Sequence, residues 1–466
     1  MLHTIFQYLN EGFNKNKHPL YKERLTLLRK LKKSIIDNQA DLYIAATKDF
    51  GQRSETETQI IEILPCIQSI DYSIKHLKKW MKPESRHTSW LYLPGINHIF
   101  YQPKGVIGII VPWNYPIFLS LGPLIAALSA GNYCMIKMSE FTPNTNKVIK
   151  HIIDTTLKNK VAIVEGEIDV AIEFSQLPFA HLLYTGSTQV GKSVMAAASK
   201  NLTPVTLELG GKSPLVITED IDIQSVAQKI IFGKLTNAGQ TCIGIDYLLL
   251  PKNKLNDCIE SIQAAFNIFY QDQTTFNEYT SILNQRHLAR LTHYIDEAKN
   301  KGAKIIRCEN VLFNTETSLE NRLMPLTLIV DAPLDCLVWQ EEIFGPILPI
   351  HCVDNLDQAI EFINERPHPL AIYLFSNDKH AHYKIKTQTH SGGICINDSL
   401  LHVAQDDLPF GGIGPSGMGS YHAIEGFKTF SHAKSIHKKW RFSSSILAYP
   451  QHRHGLLKRI LNYILN

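Results

Sequence analysis

Charge of one sign is what this sequence has least of. Its 47 Lys and Arg stand against 43 Asp and Glu, a formal net charge of +4 over 466 residues, too little to make nucleic acid the main partner. The eight cysteines, Cys66, Cys134, Cys242, Cys258, Cys308, Cys336, Cys352 and Cys395, form no Cys-x-x-Cys pair. Zinc-ribbon and dithiol redox readings therefore have no support. A chain of this length can bury a sizeable core and needs no disulfide framework. No apolar stretch approaches the ~20 residues that a membrane-spanning helix requires. No apolar segment near the start is followed by a small-residue cleavage site. The histidines lack ligand spacing, so no metal is expected, and there is no internal repeat or low-complexity tract. These absences together lead to the expectation of a cytoplasmic protein of about two to four domains or subdomains.

What is present is an alternation of strand-like and helix-like runs. Residues 20–80 carry Leu and Ile at helical spacing, and the basic run Lys22 to Lys33 reads as the solvated face of an amphipathic helix. Residues 83–103, broken by Pro83, Pro94, Gly95 and Pro103, read as an extended arm. Short apolar runs at 105–112, 133–138, 180–186 and 204–211 predict strands. Between them, 118–131, 146–158 and 191–200 predict helices. Strand–helix alternation implies parallel βαβ units in a doubly wound sheet. The pattern resumes with apolar runs at 214–217, 246–250, 304–306, 347–353, 371–375 and 394–397, enough for a second α/β domain. The glycines crowded into 391–420 suit tight backbone passages.

Residues 186–193 read GSTQVGKS and satisfy the G-x-x-x-x-G-K-[ST] pattern that cradles phosphate in NTPases. A glycine-bearing strand-to-helix junction binds phosphate through free N–H groups and the helix dipole. ATP and the pyrophosphate of NAD are equally served, so the motif alone does not choose between nucleotides. It is also compatible with a plain glycine turn. An NTPase needs an acidic residue at a strand end for Mg²⁺, and Glu219 and Asp220 offer only a loose match.

A cysteine is usually buried and inert, and seven of the eight carry that reading. Cys242 differs because Asn237, Ala238, Gly239, Gln240 and Thr241 precede it, small and polar residues that let a substrate approach and supply backbone donors. Glu208 closes an apolar strand just before Gly210 and Gly211. Desolvation there would raise its pKa toward general-base range, although a salt-bridged or solvated strand end fits the same residue.

Five segments then decide. "PWNYP" (112–116), "LELGGKSP" (207–214), "NAGQTC" (237–242), "EEIFGP" (341–346) and "PFGGIGPSGMG" (409–419) resemble the aldehyde dehydrogenase superfamily, in its order and at about its spacing. The resemblance covers roughly residues 20–440. "FSQLPFAHLLYTGSTQVGK" (174–192) and "NDSLLHVAQDDLPFGG" (397–412) resemble the coniferyl aldehyde dehydrogenase group, near the class 3 and fatty aldehyde enzymes.

The resemblance implies two doubly wound α/β domains plus a small oligomerisation arm. Residues 1–207 would bind NAD(P), interrupted by the arm 83–103. Residues 208–400 would form the catalytic domain. Residues 401–440 would return to the cofactor domain and join the arm in oligomerisation, making a homodimer. It implies Cys242 as nucleophile, Asn114 as oxyanion donor and Glu208 as the base that activates water. Glu342 is implied to bind the nicotinamide ribose and could share the base role. Trp113, Lys137, Glu140, Gly186, Ser187 and Phe344 are implied around the cofactor. Glu140 would accept hydrogen bonds from the adenosine ribose and repel a 2′-phosphate, favouring NAD, with NADP still open. Gly210, Gly211, Pro346 and Gly411 would keep backbones close around the site; His402 and Asp406 are read as structural. The substrate implied is a hydroxycinnamaldehyde such as coniferyl aldehyde, with benzaldehyde-like and medium- or long-chain aliphatic aldehydes as alternatives. Glu208 favours release to water over transfer to coenzyme A. Intact Cys242, Glu208 and Asn114 argue against a non-catalytic protein on the same fold.

Residues 441–466 form a tail. Within it, Leu456, Leu457, Ile460, Leu461, Ile464 and Leu465 share one helical face beside Arg453, Lys458 and Arg459. The tail either packs on the enzyme or its dimer partner, or makes peripheral contact with a membrane surface.

Overall fold

The computed structural model describes residues 1–308, 311–314, 316–439, 445, 449–452 and 455–465. Three sheets organise them. The first has six strands in the order Gly417–Met418, Val205–Leu209, His181–Gly186, Val106–Ile110, Tyr133–Lys137, Val161–Val164. All pair in parallel except the short Gly417–Met418 strand. Every residue of Val106–Ile110 and Tyr133–Lys137 is buried. Helices cover both faces of a parallel sheet, which is why these strands read as continuous apolar runs.

The order of the strands locates the site. From Val106–Ile110 the chain winds outward through Tyr133–Lys137 to Val161–Val164. It then crosses to the other side of the starting strand with His181–Gly186 and Val205–Leu209. That reversal opens a crevice at the carboxyl ends of Val106–Ile110 and His181–Gly186, the place where open α/β sheets take ligands.

The second sheet runs Lys304–Cys308, Leu326–Val330, Ile347–Val353, Tyr247–Pro251, Pro214–Ile217, Ala371–Phe375, Gly393–Ile396. Only its edge strand Lys304–Cys308 is antiparallel. The passage between the sheets follows Leu209, so the expected border at 207/208 falls inside a strand of the first sheet. The third sheet unites the expected arm with the later segment: Ile96–Pro103 pairs antiparallel with Glu84–Arg86 on one side and Ser431–Lys438 on the other.

The helix Phe118–Ala130 is buried almost all round, between the first sheet and the helices Tyr21–Asp37 and Leu64–Trp80. It stops at Gly131, whose φ of +94° suits glycine. The strands Val161–Val164, Leu326–Val330, Gly417–Met418 and Ser431–Lys438 lie outside the expected runs, as does the helix Leu2–Lys15. That helix presents Leu2, Phe6, Leu9 and Phe13 to Val106 and Tyr133 on the first sheet and to Phe179 in the loop before His181–Gly186. In the basic run, Lys22, Arg29, Lys30 and Lys33 are exposed as expected. Arg24 is the correction: it is buried, and it donates to the carbonyls of Pro19 (3.0 Å) and Ser129 (2.9 Å). Burial draws its pKa down to about 10.

A Cβ on Gly131 would sit 2.7 Å from the Arg24 guanidinium carbon. Gly131→Ala should therefore lower stability by at least the ~1–2 kcal/mol of a left-handed non-glycine residue, read as a lower urea midpoint at unchanged slope.

Candidate active site

At the crevice, the loop after Val106–Ile110 carries Pro112, Trp113 and Asn114 into a cleft of about 240 Å³. Gly186 and Ser187 face them from the end of the neighbouring strand. Ser187 caps the helix Thr188–Ser199, accepting a hydrogen bond from the Val190 N–H (3.4 Å). A Cβ on Gly186 would collide with the Tyr184 hydroxyl. This junction corrects the NTPase alternative. The helix starts at Thr188, so Lys192 and Ser193 lie within its turns, exposed, and the stretch that would have to wrap a phosphate is helical. Glu219 and Asp220 follow Pro214–Ile217 in the other sheet. The Asp220 carboxylate is already occupied by the Asn377 N–H (2.6 Å), the Ser376 hydroxyl (3.3 Å) and Thr218.

The nucleophile candidate follows a strained turn. Asn237 (φ 53°, ψ 36°), Ala238 (φ 52°, ψ 33°) and Gly239 (φ 76°) are all left-handed. Two of them bear a Cβ, at a cost of roughly 1–2 kcal/mol each. The turn is held from every side. The Asn237 N–H donates to Glu57 (3.0 Å), and its side-chain amide donates to the backbone carbonyl of Asn114 (3.1 Å). The Gln240 side chain donates to the carbonyls of Asn237 and Ser281 (both 3.0 Å) and accepts from the Leu283 N–H (3.0 Å). Gly239 lacks the Cβ that would press within 2.5 Å of the Gly345 carbonyl oxygen. Cys242 emerges from this turn with its residue part-exposed in the cleft.

Two carboxylates flank it. Glu208 sits in the strand Val205–Leu209, opposite Thr185 and Gly417. It is buried, and neither oxygen has a partner. Burial holds its pKa well above the usual carboxylate range. Glu342 fills the space that a Gly210 side chain would need. Its Oε1 is shut off from solvent and unpartnered. Burial first, then the neighbouring Asp246 charge, pushes its pKa up to about 8. Asp246 is anchored by an ion pair with Lys212 and by the Ile343 N–H (2.9 Å). For Cys242 itself, burial, then Glu342, then Glu208 raise the thiol pKa to about 12.

Asn114 is buried and donates from Nδ2 to the Gln240 carbonyl (3.0 Å). An amide has two such hydrogens, so one stays available for a substrate oxygen in the cleft. Phe344, itself left-handed (φ 51°), packs edge-on against Trp113 at 5.4 Å between ring centres.

Of the residues named from the sequence, Cys242, Glu208, Asn114, Trp113, Gly186, Ser187, Glu342 and Phe344 line this one cleft. Lys137 and Glu140 do not. They stand at the end of the adjacent strand, where buried Lys137 donates to the Met138 carbonyl (2.8 Å) and lies 3.7 Å from exposed Glu140. His287 and Arg290, which also line the cleft, were not signalled by any motif. Nor were Arg53, Glu57 and Glu62. Arg53 and Glu62 form a fully buried ion pair at 2.8 Å. Arg53 also donates to the Asn114 backbone carbonyl (3.1 Å), and Glu62 accepts from the N–H groups of Ile117 (2.7 Å) and Phe118 (3.1 Å). The one sequence hint was a charged Arg and Glu within an otherwise amphipathic helical stretch.

The crevice fits a dinucleotide: a glycine and a capped helix start stand where a pyrophosphate would lie. Trp113 and Phe344 form an aromatic wall, and Glu342 offers an unsatisfied oxygen to a ribose hydroxyl.

Comparison with known proteins agrees. The model of the aldehyde dehydrogenase family matches residues 5–436. A Pseudomonas aeruginosa protein described as "Probable coniferyl aldehyde dehydrogenase" is 44% identical over 460 residues, covering 98% of this chain and 95% of that protein. The rat "Aldehyde dehydrogenase, dimeric NADP-preferring" is 36% identical over 427 residues, 91% of this chain and 92% of that protein. The solved structure of Staphylococcus aureus AldH in its substrate-bound state superposes with a TM-score of 0.93 at 38% identity, covering 100% of this chain and 99% of that one. The chain belongs to the aldehyde dehydrogenase family. It is an NAD(P)-dependent aldehyde dehydrogenase.

A thiol whose pKa lies near 12 reacts through a small thiolate fraction that grows with pH. Alkylation of Cys242 by iodoacetamide, followed by peptide mass spectrometry, should rise about tenfold per pH unit from neutral to alkaline in the free enzyme. Glu342→Gln removes the charge that raises the thiol pKa more strongly than Glu208 does and should speed alkylation at a fixed alkaline pH, where Glu342 is ionised. An unchanged rate would show that the Glu342 charge does not contribute to the thiol pKa.

Proposed function

We propose that the cleft oxidises an aromatic aldehyde to its acid through a thioester on Cys242. One observation carries the reading. A part-exposed thiol, a buried amide donor and two carboxylates with unpartnered buried oxygens converge on a single cleft. Cys242 sulfur bonds to the aldehyde carbon. The free Asn114 N–H and the Cys242 backbone N–H receive the oxyanion, a contribution of about 2.7–4 kcal/mol per donor. The nicotinamide cofactor, when bound, supplies the hydride acceptor. Glu208 takes a proton from the water that adds to the thioester, and collapse releases the acid and the Cys242 thiol. The raised pKa of Glu208 makes it a stronger base once ionised. Glu342 holds the nicotinamide ribose, and its place in the same cleft as Cys242 supports a share in the base role.

The aromatic substrate is supported by the coniferyl aldehyde dehydrogenases among the relatives, at 44% and 39% identity. A second reading, an extended apolar aldehyde of medium or long chain, draws on the Staphylococcus aureus "4,4'-diaponeurosporen-aldehyde dehydrogenase" at 40% identity. Glu140, exposed at the end of the second strand of the nucleotide-binding unit, supports NAD over NADP because its carboxylate would repel a 2′-phosphate.

In this reading the first sheet and its helices bind the cofactor and the second sheet carries the nucleophile. The three-stranded sheet brings two chains together as a dimer. Ser431–Lys438 is an edge strand with mostly exposed residues, open to pairing with a second copy.

Absorbance at 340 nm with NAD, NADP and a panel of aryl and aliphatic aldehydes tests these assignments. Cys242→Ala should abolish NADH formation. Glu208→Gln should keep a burst of about one NADH per site and lose steady-state turnover. The same burst in Glu342→Gln, with Glu208→Gln unaffected, would transfer the base role to Glu342.

The tail adds peripheral membrane contact to the proposal. Among the described residues no helix is long and apolar enough to cross a membrane. The helix Leu456–Leu465 nevertheless exposes Leu461, Ile464 and Leu465 near Lys458 and Arg459, an arrangement suited to an anionic lipid surface. Arg453, part of that expectation, lies outside the described residues. Deleting 453–466 should abolish co-sedimentation with anionic liposomes while activity persists; undiminished co-sedimentation would reject the contact.

A further inference from the structure

Glu57 reaches the turn that presents Cys242 from outside the cleft. It belongs to the short helix Glu55–Thr58, where the Ser54 hydroxyl oxygen accepts its backbone N–H (2.9 Å). Its carboxylate crosses to a segment 180 residues further along and accepts the Asn237 N–H at 3.0 Å. The same oxygen accepts from the Thr280 hydroxyl at 3.4 Å. From Asn237 the contacts run on to the nucleophile. The Asn237 carbonyl accepts from the Gln240 N–H and from the Gln240 side chain, both at 3.0 Å. The Gln240 carbonyl in turn takes the side-chain amide of Asn114 (3.0 Å), and Cys242 follows two residues later.

Asn237 is fully buried and left-handed (φ 53°). Without the Glu57 oxygen its N–H would be a buried donor left unpaired, in a residue that is already strained. A hydrogen bond to an anion is roughly twice as strong as one to a neutral acceptor, so the charge on Glu57 sets how tightly the turn is held. Arg53 favours that charge, and Glu278, which accepts from the Ser54 hydroxyl, opposes it. The phenols of Tyr115, Tyr270 and Tyr279 also feel it, but burial above all keeps them protonated far beyond neutrality. Desolvation outweighs Arg53 and lifts the Glu57 pKa from 4.5 to about 7. An acid whose pKa rises on folding makes the fold less stable as pH climbs from the unfolded value to the folded one. Between pH 4.5 and about 7 the ionisation of Glu57 therefore costs stability. The chain keeps a carboxylate where an uncharged amide would leave the fold more stable.

We propose that Glu57 is a positioning residue for Cys242: as the anion it pins the Asn237 N–H, and so holds the left-handed turn and the thiol beyond it in the geometry that attacks the aldehyde. It does not line the cleft and acts only through the turn. The assignment rests on Cys242 as the nucleophile and goes beyond it by naming the group, and the charge state, that keeps the nucleophile in place. Protonation loosens the turn without releasing it, because a neutral carboxyl still offers an acceptor oxygen.

Glu57→Gln keeps the shape and an acceptor oxygen but cannot ionise. Hydrogen exchange in the peptide 236–242, read by mass spectrometry as the ratio of variant to wild type, cancels the intrinsic effect of pH and reports on the turn itself. The ratio should be about five at pH 8 and within about twofold of one at pH 5.5, where Glu57 is itself neutral. At pH 8 kcat should fall by about the same factor, with KM for aldehyde and cofactor within about twofold of the wild type. The urea midpoint at pH 8 should be equal to or above that of the wild type. Equal exchange at pH 8 overturns the proposal. So does a loss of kcat matched by a lower urea midpoint, which would mark a structural role alone. Should Glu57→Gln fail to fold, the wild type decides: protection of 236–242, corrected for the intrinsic rate, should rise about fivefold from pH 5.5 to pH 8, and a flat profile overturns the proposal. Activity retained in Cys242→Ala would remove the nucleophile, and this assignment with it. An inert Cys242→Ala beside wild-type exchange in Glu57→Gln would remove this assignment alone.

Discussion

Three consecutive left-handed residues, Asn237, Ala238 and Gly239, are the constraint on which the site depends. Two of them have side chains and would leave this conformation if free to do so. They are retained because hydrogen bonds hold the turn from several sides. Glu57 takes the Asn237 N–H, the Asn114 carbonyl takes its amide, and Gln240 ties the turn to Ser281 and Leu283. The same contacts that hold Cys242 in the cleft hold Asn114 opposite it. Thiol and oxyanion donor are thus positioned together by one hydrogen-bonded unit rather than by two independent ones.

Beneath that unit lies the Arg53–Glu62 pair. Desolvating two charges is expensive, and such a pair is weak evidence for stability. Its value here is geometric. Arg53 reaches the Asn114 carbonyl, and Glu62 collects the next free N–H groups along the chain, those of Ile117 and Phe118. Residues 114–118 are therefore held in one fixed path, with Asn114 facing the cofactor cleft. The electrostatics follow from the same burial. Burial raises the pKa values of Glu208 and Glu342, with the Asp246 charge adding to the rise at Glu342, and burial followed by these two carboxylates raises that of the Cys242 thiol. A site arranged in this way stores proton acceptors close to a protonated nucleophile, a useful state for a reaction that must move protons at two different steps.

Much of the fold was legible in the chain. Parallel strands buried on both faces announce themselves as short apolar runs, and the runs at 214–217, 347–353 and 371–375 coincide with observed strands. Val161–Val164 was not picked out after the helix expected at 146–158, because four residues carry too little pattern to mark a strand. The helix Leu2–Lys15 owes its place to Phe6 and Phe13, whose meaning depends on Phe179 and Tyr133 far along the chain. The pattern at 186–193 points to phosphate binding, but only the early start of the helix at Thr188 distinguishes a dinucleotide crevice from an NTPase loop.

The sequence by itself determined the chemistry: a cysteine in a small, polar setting, a glutamate at the end of an apolar strand and an asparagine in a turn, each inside a segment whose spacing identifies the family. These are local properties, written in neighbouring residues. Only the tertiary structure decided what those groups feel and what supports them. Glu57, Arg53 and Glu62 come from a helical region some 180 residues before the turn they hold. His287 and Arg290 come from the helix Gln285–Asn300 beyond it, and Lys137 and Glu140, close to Asn114 in sequence, end outside the cleft. Burial and Coulomb interactions depend on distance through space, and a linear order of residues does not contain that distance until the sheets have formed.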